Sequence, residues 1–208
     1  EMCIRDRLQA FLPPPTQGRG GNRFPDVPVV SHDGEIYRFH SELISNKVAM
    51  VQFMSLDAQR KFPSMSHLAK VAEQLGDKLG QEVNIYSITT EPAADTVERL
   101  AEYARKNALP AGWLLLRPTE DGSQALGDRF AKHLSRHHRH AGINTRMVHY
   151  GNGGVGIWGA FAVDADPAMA VSRVAWMQNG KIAGEDSKRA GPAPLADPGK
   201  DSNSNRDV

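Results

Sequence analysis

Val48-Ala-Met-Val-Gln-Phe-Met-Ser-Leu-Asp-Ala-Gln-Arg-Lys-Phe-Pro63 decides the fold. Val48 to Phe53 is apolar and partly β-branched, as a strand covered on both faces must be. A short polar loop follows, and Pro63 suits the first turn of a helix because its missing amide costs nothing there. Beyond it, Met65, Leu68, Val71, Ala72 and Leu75 recur at helical spacing up to Gly76. In a small α/β domain, a loop leaving the C-terminal end of a central strand is where reactive groups gather. This loop holds no cysteine, no histidine and no serine paired with a base.

Outward from this unit the pattern continues. Val83–Thr89 alternates as a second strand, and Pro92–Asn107 carries Val97, Leu100, Ala101 and Ala104 as a helical stripe. Asp95 falls near the start of that helix, where the dipole favours negative charge. Trp113–Leu116 is a third strand, and a helix is expected over Ser123–Leu134. Upstream, Asp33-Gly34 between two β-rich runs within Phe24–Phe39 is a hairpin signal, because such turns need positive φ. His40–Ile44 reads as a short helical turn. Downstream, Arg146–Tyr150 and Val155–Phe161 form a second hairpin across Gly151-Asn-Gly-Gly154, and Pro167–Met177 closes as a helix. The order predicts an α/β, thioredoxin-like mixed sheet flanked by helices, with an N-terminal β-hairpin.

The 208 residues fit one domain with tails. Residues 1–23, with Pro13-Pro-Pro15 and Gly18-Arg-Gly-Gly21, read as a flexible leader. Residues 24–180 form the domain, and 181–208, rich in Gly, Ala, Pro, Ser, Asn and Asp, read as a disordered tail. A net charge of +1 supplies no bulk attraction to nucleic acid, and none is expected as a partner. The single cysteine, Cys3, rules out an intramolecular disulfide and any Cys-x-x-Cys motif. No apolar run reaches the roughly 18 residues needed to span a bilayer. The opening residues lack the apolar stretch of a signal peptide. The chain does not open with Met, so an upstream signal or membrane tether stays open.

Four segments resemble the Sco/SenC copper-chaperone family of thioredoxin-like proteins. Phe24–Phe39 is similar to its opening hairpin, and Tyr86-Ser-Ile-Thr-Thr-Glu-Pro-Ala-Ala-Asp-Thr-Val to its strand-to-helix signature S-I-x-x-D-P-x-x-D-T. Gly112-Trp-Leu-Leu-Leu116 resembles its G-W strand, and Met147-Val-His-Tyr-Gly-Asn-Gly-Gly-Val-Gly-Ile-Trp158 its second hairpin. The likeness covers about residues 24–177. The resemblance implies a place outside the cytoplasmic membrane, periplasmic or membrane-anchored, near copper handling or cytochrome-oxidase assembly, and an unidentified protein partner.

In that family, copper is held by two thiolates of a Cys-x-x-x-Cys-Pro loop and a distant histidine. Thiolates prefer Cu(I), while imidazole accommodates both copper states. Anchored on Phe53 and Pro63, Ala58 and Phe62 stand at the cysteine positions. Counting back from Gly151-Asn152 puts Asn144 at the histidine position, and Glu91 replaces the signature's aspartate. This trio makes neither a thiolate copper site nor a disulfide, so no catalytic residue and no resident cofactor are expected. A cysteine-based peroxidase needs a cysteine nucleophile after the central strand and none is there, and the same absence argues against a thiol oxidoreductase.

His133, His137, His138 and His140 are the alternative metal candidates, with His149 on the strand beyond. His133 and His137 are spaced i, i+4, which on a helix puts both rings on one face. Such a cluster suits Cu(II), Ni(II) or Zn(II). The competing reading is a solvated basic loop, with Arg136 and Arg139 repelling a cation. Asp57, Arg60 and Lys61 read as a solvated loop, and Glu91 with Asp95 as dipole-complementing and capping residues rather than an acid–base pair. Trp113 and Trp158 read as packing residues, His67 as surface or half-buried, and His32 and His40 as turn residues. Gly151–Gly156 lies between strands, so it reads as a hairpin turn rather than a phosphate loop.

Overall fold

The structure is a computed structural model that describes residues 24–131, 143 and 145–178. The expected leader at 1–23 and tail at 181–208 lie outside the described residues, as do 132–142 and 144. The strands are β1 (Pro28–Ser31), β2 (Ile36–Arg38), β3 (Val48–Met54), β4 (Val83–Thr89), β5 (Trp113–Pro118), β6 (Met147–Asn152) and β7 (Ile157–Ala162). The helices are α1 (Ser64–Leu75), α2 (Val97–Lys106), α3 (Glu120–Ala131) and α4 (Pro167–Gln178). The strands form one sheet in the order β2-β1-β5-β4-β3-β6-β7. β3, β4 and β5 run parallel through the centre, and every other pairing is antiparallel.

The alternation of side chains across a strand divides the core in two. Met50 and Met54 of β3 meet Met65, Leu68 and Val71 of α1, Leu100 of α2 and Val174 of α4. Ala49, Val51 and Phe53 point the other way, against Phe39, Leu43 and Ile44 before β3 and Leu126 and Phe130 of α3. All seven residues of β3 are buried, which explains why its sequence runs almost unbroken in apolar residues. Gln52 is the exception, a buried amide whose two polar atoms have no hydrogen-bond partner among the described residues.

The N-terminal hairpin forms where expected, with Gly34 at φ +87° and its amide donating to the Ser31 carbonyl at 3.0 Å. The turn expected at His40–Ile44 is a wider, π-type turn over Phe39–Ile44. Asp26 caps it, because its Oδ1 accepts from the amides of His40 (3.0 Å) and Ser41 (2.9 Å). The helix expected from Pro92 begins at Val97, with 92–96 as an irregular lead-in. The second hairpin keeps Gly151 and Asn152 inside β6, and its turn lies at 153–156. There Asn152 Oδ1 accepts from the amides of Gly154 (3.0 Å) and Val155 (3.2 Å), confirming a side-chain-closed hairpin instead of a phosphate loop.

Candidate functional site

The parallel strands β3 and β4 end together, and the loops that leave them meet. Backbone bonding begins the contact, with the Thr90 amide donating to the Met54 carbonyl at 2.8 Å. Asp95 completes it. Its side chain is fully buried, and its Oδ2 accepts from the Thr89 hydroxyl on β4 and from the Leu56 amide (3.2 Å) in the loop after β3. One carboxylate therefore ties both loops, because an ionised carboxylate offers several acceptor sites. Asp95 was expected to complement the helix dipole, but its burial gives it this tie instead. The capping role belongs to Thr96, whose hydroxyl accepts from the Arg99 amide at 3.3 Å.

Arg99 closes the outer side of the tie. Its Nη1 lies 3.7 Å from Asp95 Oδ1 and donates to the Ala94 carbonyl at 2.7 Å, while Nη2 reaches Asp57 Oδ1 at 3.0 Å. Asp57 is thus not merely solvated, whereas Arg60 and Lys61 are exposed as expected. Glu91 is exposed on the lead-in to α2, and the Pro92 carbonyl accepts from Arg117 Nε at 2.7 Å. The Ser123 hydroxyl anchors α3 to the same end of the sheet by donating to the Thr89 carbonyl at 2.9 Å.

The loop itself is a 3₁₀ turn over Asp57–Arg60. The side chain of Gln59 fastens it. Gln59 Nε2 donates to the Ser55 carbonyl (3.1 Å), and Oε1 accepts from the Met65 amide (3.0 Å) and exchanges with the Ser64 hydroxyl. Gln59 thereby spans the loop and supplies an acceptor to the start of α1, whose own N-cap residue, Pro63, has no side-chain oxygen to offer. Ala58 and Phe62 lie one turn apart, the Phe62 amide donating to the Ala58 carbonyl at 3.0 Å. Ala58 is exposed and Phe62 half-buried.

The Phe62 ring contacts two cationic or titratable groups. The Arg146 guanidinium lies over it at 4.9 Å from the ring centre, and the His67 ring lies at 6.3 Å with 28° between planes. Arg146 comes from the chain just before β6. A cavity of about 440 Å³ opens beside the site, walled by Glu91, Pro92, Glu120, Ser123, Gln124 and Ile143. Neither Ala58 nor Phe62 lines it.

His133, His137, His138, His140 and Asn144 lie outside the described residues. His149 is not a surface ligand. It is buried on the α3 face of the sheet, with Phe130 at 4.9 Å and Phe53 at 6.5 Å between ring centres. His32 does more than turn the chain, because its Nδ1 accepts from the Leu115 amide on β5 at 3.3 Å. Trp113 packs in the core as expected and donates its indole N–H to Ser87 Oγ at 3.0 Å. Among the described residues no group of three or more His, Cys, Asp or Glu is placed to hold a metal ion. An alanine methyl and a phenyl ring offer copper no lone pair, so the chemistry at positions 58 and 62 does not fit that metal. Sequence reasoning missed Gln59 and the Arg146–Phe62–His67 stack, since neither carries a local motif.

A parallel β3-β4-β5 core, antiparallel strands on both flanks and helices on both faces define a thioredoxin-like domain. It is similar to the SCO1/SenC family, whose model matches residues 61–113. The matched stretch runs from the end of the loop through Asp95 and α2 to Trp113. Several solved structures share the fold. Yeast Sco1 with copper bound is 17% identical, with 76% of this chain and 94% of that chain covered at a TM-score of 0.59. A SCO1/SenC family lipoprotein from Bacillus anthracis is 14% identical, with 72% and 91% covered and a TM-score of 0.59. BsSco, a member of the Sco family of cytochrome c oxidase assembly proteins, is 14% identical, with 77% and 96% covered and a TM-score of 0.59. No curated protein matches the chain. No helix among the described residues is long and apolar enough to cross a membrane.

Proposed function

We propose that this chain is a non-catalytic Sco/SenC-type protein that acts by binding a partner protein in copper handling or respiratory-oxidase maturation. Its loop after β3 keeps the family scaffold without the copper and thiol chemistry. The observation that carries this reading is the stack at the loop. Phe62 takes the position expected for a cysteine, and the Arg146 guanidinium sits 4.9 Å from its ring. The phenyl ring supplies a metal ion no donor, and the guanidinium covers the ring. The exposed Arg60 and Lys61 beside it give the loop a basic rim suited to a protein surface of opposite charge. The family likeness supports a place of action outside the cytoplasmic membrane.

A second reading keeps metal binding but moves it to His133, His137, His138 and His140, where the i, i+4 spacing of the first two favours a shared ligand. Calorimetric titration of tag-free protein with Cu(II), Ni(II) and Zn(II) separates the two. The binding-protein reading expects no stoichiometric sub-micromolar uptake. Tight uptake abolished by His137→Ala with His140→Ala would replace it with the histidine reading.

A further inference from the structure

The two edges of the sheet are built differently. β2, at one edge, has three residues, lies between Glu35 and the Phe39–Ile44 turn, and has its Arg38 amide capped by the Glu42 carboxylate. Short, charged and capped edges are how sheets avoid pairing with other chains. β7, at the other edge, is six residues long, Ile157-Trp-Gly-Ala-Phe-Ala162, with no charge and no proline. Ile157 is 49% exposed and Val155, just before it, 39%.

The register shows which backbone groups face outward. The Val163 amide donates to the Arg146 carbonyl at 2.8 Å, and β6 and β7 pair Val148 with Phe161 and Tyr150 with Gly159. In an antiparallel ladder the hydrogen-bonded pairs alternate, so the odd-numbered residues of β7 bond to β6. The amides and carbonyls of Trp158, Ala160 and Ala162 therefore point away from the sheet.

We infer that β7 pairs with β7 of a second copy of this chain, antiparallel about a two-fold axis at Ala160, joining two sheets into one. The strand's own sequence argues for this occupant. Centred on Ala160, the outward groups of Trp158, Ala160 and Ala162 meet the same groups of the copy and form roughly six backbone hydrogen bonds. Trp158 then lies opposite Ala162 of the copy, and Phe161 opposite Gly159, so each large side chain meets a small one. Gly159 has a reason within the monomer too, since a Cβ there would meet the Tyr150 ring at 2.8 Å. Asp164 falls opposite Gly156 of the copy, so no like charges face each other across the axis. A self-complementary surface is what a two-fold interface requires. A six-residue strand contact is small for a protein interface, which makes the dimer a micromolar rather than a nanomolar one.

Ala160→Pro tests this directly. It deletes an outward amide and leaves every bond to β6 in place, and proline is tolerated on a sheet edge whose amide faces solvent. Sedimentation equilibrium of wild type should show a monomer–dimer equilibrium in the micromolar range. In Ala160→Pro the dimer should be roughly thirtyfold weaker, through loss of the two Ala160 amide bonds across the axis. Hydrogen exchange of wild type gives a second readout that needs no variant. Exchange at Ala160 should slow as protein concentration rises, while core amides of β3 stay unchanged. A monomer at all concentrations, a dimer indifferent to Ala160→Pro, or concentration-independent exchange at Ala160 each overturns the inference. So does a monomeric chain whose β7 takes up an extended peptide from another protein instead.

Discussion

The loops that follow β3 and β4 lie side by side at one end of the sheet, yet they carry different kinds of information. The loop after β4 is scaffold. Asp95 is buried, holds Thr89 and the Leu56 amide, and stands within the stretch that matches the SCO1/SenC model. The loop after β3 carries Ala58 and Phe62, fastened by the Gln59 side chain, with the Arg146 guanidinium over the Phe62 ring. One loop is held by a single buried carboxylate and the other by one amide side chain, so each can change without the other. Fold and function are separable in this way whenever a site is grafted on a scaffold.

The largest effect falls at Asp95. Asp95→Ala removes the shared acceptor and leaves the Leu56 amide and the Thr89 hydroxyl without it. Unfolding free energy should fall by about 3 kcal/mol, measured by urea denaturation at neutral pH. A loss below about 1 kcal/mol would mean that the two loops are held by something else. Gln59→Ala should cost less, about 1–2 kcal/mol, since it removes a neutral acceptor from the Met65 amide rather than a buried carboxylate shared by two donors.

The stack over the loop is weaker still. A double-mutant cycle on Phe62→Leu and Arg146→Ala should return a coupling of roughly 0.5–1 kcal/mol, the range for a cation over an aromatic face near solvent. Zero coupling would dissociate Arg146 from the site. The Asp57–Arg99 pair marks the floor of the series. Both groups are substantially exposed, so Asp57→Asn should change stability by about 0.5 kcal/mol or less and lose even that at high salt.

Much of the fold was legible because it is written in local patterns. The apolar run Val48–Phe53, the helical spacing after Pro63 and the Asp33-Gly34 turn each state their element within a few residues. Boundaries were less legible. The α2 stripe extends back to Pro92 in sequence, but Asp95 is drawn inward to Thr89 and Leu56, and the helix begins only after Thr96 caps it. The site was legible as a list of absent donors, and illegible as geometry. Arg146 reaches Phe62 across more than eighty residues of chain, and Gln59 looks like any polar loop residue until its partners are in place. His149 misled for the same reason, since the histidines around it in sequence gave no sign that the sheet turns its ring into an aromatic core.

Whether the loop after β3 binds copper is measured by competition titration of tag-free protein with Cu(I), run beside a variant carrying His133→Ala, His137→Ala, His138→Ala and His140→Ala. The proposed reading expects the loop to hold no cuprous ion, so that any uptake by wild type disappears in the variant. One equivalent of tightly bound Cu(I) surviving in the variant would contradict it.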